Sequence, residues 1–359
     1  MKLAFVAPAN SVHTVRWVNA MARRGLEVTL FSLACHPART GAIEPAVQIC
    51  YLPGSGMAGY YTAALRLRSA LRRGGFDVVN AHYASGYGTL ARLAGARPLL
   101  LNVWGSDVYE FPYQGRIKHT ILLRNLRYAD RIASTSHAMA DQVRLLLGEP
   151  DREIPVTPFG VNIGDYAGEE SAPREGPLTI GIVKSLAPVY AIDDLIRAFA
   201  IFTGRPEHAG ARLLIYGDGP QRGELEELAR TEGVADRVTF AGVIPNTDVP
   251  RALREMDIFA LTSLQESFGV AAVEAMAAGL PVAATDVPGF REVIADGETG
   301  LIVPVRDPRA MAEALSKLAD DPALRRTMGQ AGRRRAAALF NWDSNVDAML
   351  ACYEGMIKG

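Results

Sequence analysis

Two glutamates eight residues apart, Glu266 and Glu274, carry the strongest chemical signal in this sequence. Both lie in the stretch 261–281, LTSLQESFGVAAVEAMAAGLP. Ahead of it, Asp257 to Leu261 is a short apolar run of buried-strand character. From Gly269 onward Val270, Val273, Ala277 and Ala278 give a helical apolar pattern, which Gly279 and Pro281 stop. Residues 281–285 are strand-like again, so the stretch is predicted to be a βαβ unit. Glu266 then falls in the loop at a strand's carboxyl end, where open α/β sheets bind ligands. The backbone N–H groups of Phe268, Gly269 and Val270 would lie at a helix N-terminus, which attracts anions such as phosphate. Paired carboxylates suggest glycoside hydrolysis, but the spacing argues against it. Eight residues of helix advance about 12 Å, whereas retaining glycosidases hold their carboxyl groups about 5–5.5 Å apart. Two separate jobs fit better, and two ordinary glutamates on a solvated helix are the plain structural alternative.

The same residues resemble a family. Ser263-x-x-Glu266-x-Phe268-Gly269, then Glu274-Ala275-Met276-Ala277 and Gly279-x-Pro281-Val282, is similar to the Glu-x7-Glu motif of glycosyltransferase family 4. The likeness extends over nearly the whole chain. It implies the GT-B fold: α/β, with two Rossmann-like domains facing across a cleft and a C-terminal helix crossing back to the N-terminal domain. It also implies retaining transfer from a nucleotide diphosphate sugar, UDP- or GDP-linked, to a saccharide or lipid-linked acceptor. No cofactor is expected. By this resemblance Glu266 orients the transferred sugar and Glu274 holds the ribose, with Ser267, Phe268, Gly269 and Val270 around the donor.

Bulk properties agree with two domains. A length of 359 residues exceeds the usual single domain. With 49% apolar and 21% charged residues, the composition is that of a soluble globular protein. The sequence lacks an apolar run of the length a membrane-spanning helix needs. Residues 1–7, MKLAFVA, are too short for a signal peptide and are expected to form the first strand. Cys35, Cys50 and Cys352 are scattered and odd in number, as expected of reduced thiols in a cytoplasmic protein. Net charge is −1 but uneven. Residues 1–160 hold 18 Lys and Arg against 10 Asp and Glu, and the remainder 20 against 29.

In the first half, apolar runs at 2–8, 27–33, 47–53, 77–83, 98–104, 131–136 and 154–159 alternate with helical patterns near 14–24, 60–73, 86–95, 116–128 and 137–147. Such alternation predicts a parallel sheet covered by helices. The loop after the first run holds Asn10, Ser11 and His13, candidate acceptor or cleft residues, the alternative being a helix cap by Ser11 beside an exposed His13. The family's usual Gly-Gly pair is absent there. His82, ending Asn-Ala-His, and Asp107, in Trp-Gly-Ser-Asp, also sit at strand carboxyl ends. They join Glu266 as catalytic candidates for acceptor orientation or proton acceptance, with structural roles as the alternative. The arginine-bearing segments 59–73 and 116–131 could lie on an anionic membrane face or be packed helices with solvated basic sides. No nucleic-acid-binding motif accompanies the charge.

Residues 155–162 resemble the family's P-x-G-V-D segment, with Asn162 in place of Asp. Residues 164–177, rich in Gly, Pro, Glu and Ser, are the expected linker between an N-terminal domain, 1–163, and a C-terminal one, 178–340. The terminal segment 341–359 would return to the first domain. Lys184 follows a strand at 179–183 and matches the first of the family's two diphosphate-binding cations. The second has no counterpart, because Pro188-Val189-Tyr190-Ala191 contains no Lys or Arg. Gly217, in Gly-Asp-Gly-Pro, resembles the family element bordering the nucleotide pocket, and backbone near Val243 would meet the base. Two rivals stand beside transfer. One is a non-catalytic nucleotide-sugar-binding protein that kept the fold. The other, a nicotinamide oxidoreductase, would need a G-x-G-x-x-G fingerprint that neither half supplies.

Overall fold

A computed structural model of the protein describes residues 1–166 and 176–358. Of the expected linker, residues 167–175 lie outside the described residues. The chain divides into two compact units, Met1–Phe159 with Ser344–Gly359, and Gly160–Asp343.

The N-terminal unit is built on six parallel strands: β1 (Lys2–Val6), β2 (Glu27–Leu33), β3 (Val47–Leu52), β4 (Val78–His82), β5 (Leu99–Val103) and β6 (Arg131–Ser134). Their order is β3-β2-β1-β4-β5-β6. β1, β4 and β5 are buried throughout or nearly so, as continuous apolar runs covered on both faces should be. The C-terminal unit repeats the plan with β7 (Thr179–Val183), β8 (Arg212–Tyr216), β9 (Val238–Gly242), β10 (Ile258–Leu261), β11 (Val282–Thr285) and β12 (Gly300–Val303), ordered β12-β11-β10-β7-β8-β9. Both are Rossmann-like sheets. In each, the chain starts in the middle, builds outward one way, then returns and builds the other way. The crevice for ligands therefore opens above the carboxyl ends of β1 and β4, and of β7 and β10.

Two expectations are corrected. Residues 154–159 form no strand: Val156 makes only an isolated bridge with Ser134. Pro155 and Pro158 lack the N–H a ladder needs. The helix expected at 60–73 is two helices, Gly56–Thr62 and Ala64–Gly74. Two short segments, Ser106–Tyr109 and the 3-10 turn Phe111–Gln114, also intervene after β5. The last helix, Trp342–Lys358, docks on the N-terminal sheet. Asn80, buried on β4, donates to the buried Tyr353 hydroxyl at 2.5 Å and accepts from Asn102 on β5. This polar chain satisfies groups that would otherwise be stranded in an apolar core.

Candidate active site

In the C-terminal unit, the loop between β10 and the helix Val270–Ala277 is tied down from both sides. Leu264 N–H donates to the Val189 carbonyl at 2.8 Å, and the Thr262 hydroxyl to the Tyr190 carbonyl at 3.0 Å. On the other flank the Thr285 hydroxyl donates to the Ser263 carbonyl at 2.6 Å, and Gly289 N–H to the Glu266 carbonyl at 3.2 Å. Gly289 is a point of close approach, since a Cβ there would sit 2.6 Å from the Glu266 carbonyl oxygen. Phe268 is buried, with its ring edge-on to Phe340 at 5.4 Å. Gly269 starts the helix with φ +101°, a conformation that glycine adopts freely.

This scaffold brings Glu266 to Lys184, 82 residues away in sequence. Lys184 Nζ lies 2.6 Å from Glu266 Oε2, and both side chains are only 14% exposed. The same ammonium stands over the Tyr190 ring, 4.5 Å from its centroid. The ammonium thus interacts with a carboxylate and with an aromatic face. The pair sits at the carboxyl ends of neighbouring strands β7 and β10, the switch point of this sheet. One helical stretch on, Glu274 Oε1 accepts from the Tyr166 hydroxyl at 3.1 Å.

Gly217 supports Lys184 from beneath. It has φ +137°, and a Cβ there would fall 1.8 Å from the Lys184 carbonyl oxygen. Its N–H donates to the Gly242 carbonyl at 2.8 Å. Val243, just past the edge strand β9, is 75% exposed.

In the N-terminal unit the candidates gather with aromatic rings. His13, in the first turn of the helix Val12–Arg23, stacks on Phe159 at 3.9 Å and meets Trp104 edge-on at 5.6 Å. Burial, aided by the Arg16 charge, lowers its pKa to about 4, so it is neutral at pH 7. His82 is fully buried between Phe5 and Trp104, and neither ring nitrogen has a hydrogen-bond partner. Its pKa is pushed well below the ordinary range by burial and by His13. Asp107 is also buried. Its carboxylate accepts from Ala84 N–H at 2.8 Å, Trp104 N–H at 3.1 Å and Gly105 N–H at 2.8 Å. Burial raises its pKa against the lowering effect of those N–H groups.

Comparison with known proteins decides the family. Residues 2–136 match the model of the glycosyl transferase 4-like proteins, and residues 168–335 that of glycosyl transferases group 1. The D-inositol 3-phosphate glycosyltransferase of Actinosynnema mirum is 30% identical over 385 residues, covering 96% of this chain and 91% of that protein. The chain belongs to the group 1 glycosyltransferases. The enzyme of the same description from Kribbella flavida is 28% identical, with coverage of 96% and 89%. Among solved structures, sucrose-phosphate synthase from Thermosynechococcus elongatus superposes with a TM-score of 0.85 at 22% identity, over 100% of this chain and 99% of that one. HepE of Anabaena, solved with UDP, gives 0.82 at 17% identity, over 99% and 100%. These two likenesses establish that the fold is GT-B.

Within this glycosyltransferase, the structure draws Lys184, Glu266 and the loop Ser267–Val270 together, with Glu274 one helical stretch away. Gly217 acts through close packing under Lys184. Two catalytic candidates, His82 and Asp107, are buried in this structure. His82 is covered by Trp104, and Asp107 accepts with both oxygens from the loops after β4 and β5. The alternative of an exposed His13 beside a capping Ser11 also changes. Ser11 occupies the N-cap position without a side-chain cap bond, and His13 is packed between rings. Asn10 is exposed at the start of this loop.

Sequence reading missed Trp104, Phe159, Tyr166, Tyr190 and Gly289. Trp104 had a signal, an aromatic at a strand's carboxyl end. Tyr190 stands next to Val189 in the region expected to supply a second cation, and contributes a π face instead. No short-range signal marked Tyr166 or Gly289, because their partners lie far away in sequence.

Proposed function

We propose that this glycosyltransferase moves a sugar, with retention, from a nucleotide diphosphate sugar to a saccharide or lipid-linked acceptor, in the cytoplasm and in the synthesis of cell-surface polysaccharide or glycolipid. The Lys184–Glu266 pair at the switch point of the second sheet carries this reading. Such a transfer separates a diphosphate from an oxocarbenium-like sugar. Lys184 supplies the cation for the diphosphate, and the N–H groups at the start of the helix Val270–Ala277 add partial positive charge. Glu266 takes a hydroxyl of the transferred sugar and fixes its orientation. Glu274 takes the ribose diol. The acceptor attacks on the face from which the diphosphate leaves, and the leaving oxygen takes its proton. No side chain described above is then needed as a general base, in keeping with the burial of His82 and Asp107. Cation and helix amides carry the leaving charge, so no metal or organic cofactor is required, and EDTA should leave transfer unchanged.

UDP is the first nucleotide to test, because HepE was solved with UDP and with UDP-glucose. A ligand bound only by the folded state raises the unfolding temperature. Titration with UDP, GDP and ADP should show stabilisation by one of them. Glu274→Ala should weaken that nucleotide about tenfold, the loss expected for a charge-assisted hydrogen bond. Equal response of wild type and variant would sink the assignment of Glu274. Product formation with any acceptor separates transfer from mere binding.

The surface of the N-terminal unit supports a membrane-bound acceptor. The helices Gly56–Thr62 and Ala64–Gly74, and the helix Arg116–Tyr128, flank the helix Gly86–Ala94 on one face of the sheet. Together with the adjoining turn Phe111–Gln114 they expose Met57, Tyr61, Leu65, Tyr113 and Ile117, with Leu65 at 73% and Ile117 at 78%. Residues 56–76 and 111–129 contain eight Lys and Arg and no Asp or Glu. Apolar tips ringed by cations fit an anionic lipid surface. None of the helices of the described residues is long and apolar enough to cross a membrane. Cosedimentation with phosphatidylserine vesicles should be strong in low salt. It should fall at least about tenfold in a Leu65→Glu/Ile117→Glu variant, given about 1.5–3 kcal/mol for each fully buried Leu or Ile side chain. Absence of binding to these vesicles would reject the membrane reading and leave a soluble saccharide acceptor.

A further inference from the structure

The segment just after Gly160 is built to deliver one side chain. Val161 N–H donates to the Phe340 carbonyl at 2.9 Å, and Trp342 N–H returns to the Val161 carbonyl at 3.0 Å. Asn162 then closes a 3-10 turn, Ile163–Tyr166: its carbonyl accepts from Asp165 N–H at 3.0 Å, and its side-chain amide donates to Asp165 Oδ2 at 3.1 Å. The turn ends on Tyr166, which is buried, with its hydroxyl 3.1 Å from Glu274 Oε1. The same Phe340 packs its ring against Phe268 in the Glu266 loop. One anchored segment thus reaches both ends of the Glu-x7-Glu stretch, and every residue named here lies in the C-terminal unit.

We propose that Tyr166 is a positioning residue for the donor site, its hydroxyl fixing Oε1 of Glu274 and with it the orientation in which this carboxylate meets the ribose diol. This rests on the assignment of Glu274 to ribose. A glutamate side chain has three rotatable bonds, and its carboxylate swings freely unless something holds it. A buried phenol supplies a single O–H donor at a defined point on a rigid ring. A hydrogen bond to Oε1 narrows the range of angles the carboxylate samples. The ring hydroxyl therefore reduces the ordering that nucleotide binding must bring about, which raises affinity without a contact between Tyr166 and the ligand.

The test is Tyr166→Phe, which keeps the ring and its packing and removes only the hydroxyl. The KM for donor and the Kd for the stabilising nucleoside diphosphate should each rise about five- to tenfold, the scale of losing one ordinary net hydrogen bond. The kcat at saturating donor should stay within about twofold, as for the removal of uniform binding. Two further measurements separate positioning from packing. In a Glu274→Ala background the Tyr166→Phe change should have no further effect on Kd, because the pair acts as one unit. With the 2′,3′-dideoxynucleotide the wild type should already bind weakly, and Tyr166→Phe should change nothing more. An unchanged Kd for Tyr166→Phe, beside a weakened Glu274→Ala, would overturn the role of Tyr166 alone. An unchanged Kd for Glu274→Ala would overturn the ribose assignment beneath it. Equal loss with the normal and dideoxy nucleotides would show a packing effect and reject the proposal.

Discussion

Glu266→Ala is expected to lower the rate of transfer at saturating donor by about two to three orders of magnitude, with a much smaller effect on nucleotide affinity. That is the range for removing one preorganised polar group whose contact strengthens as charge develops. On the proposed assignment the nucleotide half of the donor is held elsewhere, by Lys184, by the helix start and by Glu274. Binding and rate should therefore separate in this variant, opposite to the pattern expected for Glu274→Ala. The geometry adds a second consequence. Lys184 and Glu266 are 2.6 Å apart and mostly shielded from water. Removing the carboxylate leaves the ammonium with the Tyr190 ring as its remaining neighbour from this cluster. Stability of the unliganded protein should fall by about 1–3 kcal/mol, the penalty for stranding a partly buried charged group. Nucleoside diphosphate should restore more of the lost unfolding temperature than it adds to wild type, because the diphosphate re-pairs the lysine. Pre-steady-state rates and melting curves with and without nucleotide check both halves. Transfer within threefold of wild type would remove Glu266 from the reacting centre.

Gly217→Ala should be the most damaging single methyl group in the C-terminal unit, lowering stability by at least about 3 kcal/mol and abolishing nucleotide binding. Two independent effects combine. At φ +137° an L side chain is strained whatever the space, at roughly 1–3 kcal/mol. The added Cβ would also lie 1.8 Å from the Lys184 carbonyl oxygen, inside any permissible contact. That oxygen is backbone, so relief requires moving the residue that carries the proposed diphosphate cation. Gly223→Ala serves as a control. Gly223 lies in the helix Arg222–Thr231, and a Cβ there meets nothing within 4 Å. It should stabilise by about 0.5–1 kcal/mol through helix propensity. Melting temperatures and nucleotide binding for the two variants give the comparison. A Gly217→Ala protein that binds nucleotide normally would show that the turn relaxes without displacing Lys184.

Sequence reading and structure part company at identifiable residues. The βαβ unit around Glu266 was legible because its signals are local: an apolar run, a glycine and a proline stop, and a second apolar run. The Lys184 position was legible from the end of a strand. That Lys184 touches Glu266 was not, because this depends on β7 and β10 being neighbours, and strand order is set by packing across the whole sheet. His82 and Asp107 show the reverse. Residue type and a strand-end position suggested proton chemistry. Their burial, and the three N–H groups that converge on Asp107, come from loops brought together only by folding. The run at 154–159 looked like a strand by composition, yet its two prolines left only one bridge.

By itself the sequence determined the alternation of strands and helices, the two-part organisation, the carboxylate pair with its helix start, and the family to which these residues point. All of these are encoded at short range, in periodicity, caps and a dense motif. The tertiary structure alone decided which distant side chains meet: Lys184 with Glu266, Tyr166 with Glu274, Gly217 beneath Lys184, and the aromatic rings around His13 and His82. Those contacts are fixed by strand order and by the close approach of backbones. Residues 82 and 108 positions apart meet only after the C-terminal sheet has formed.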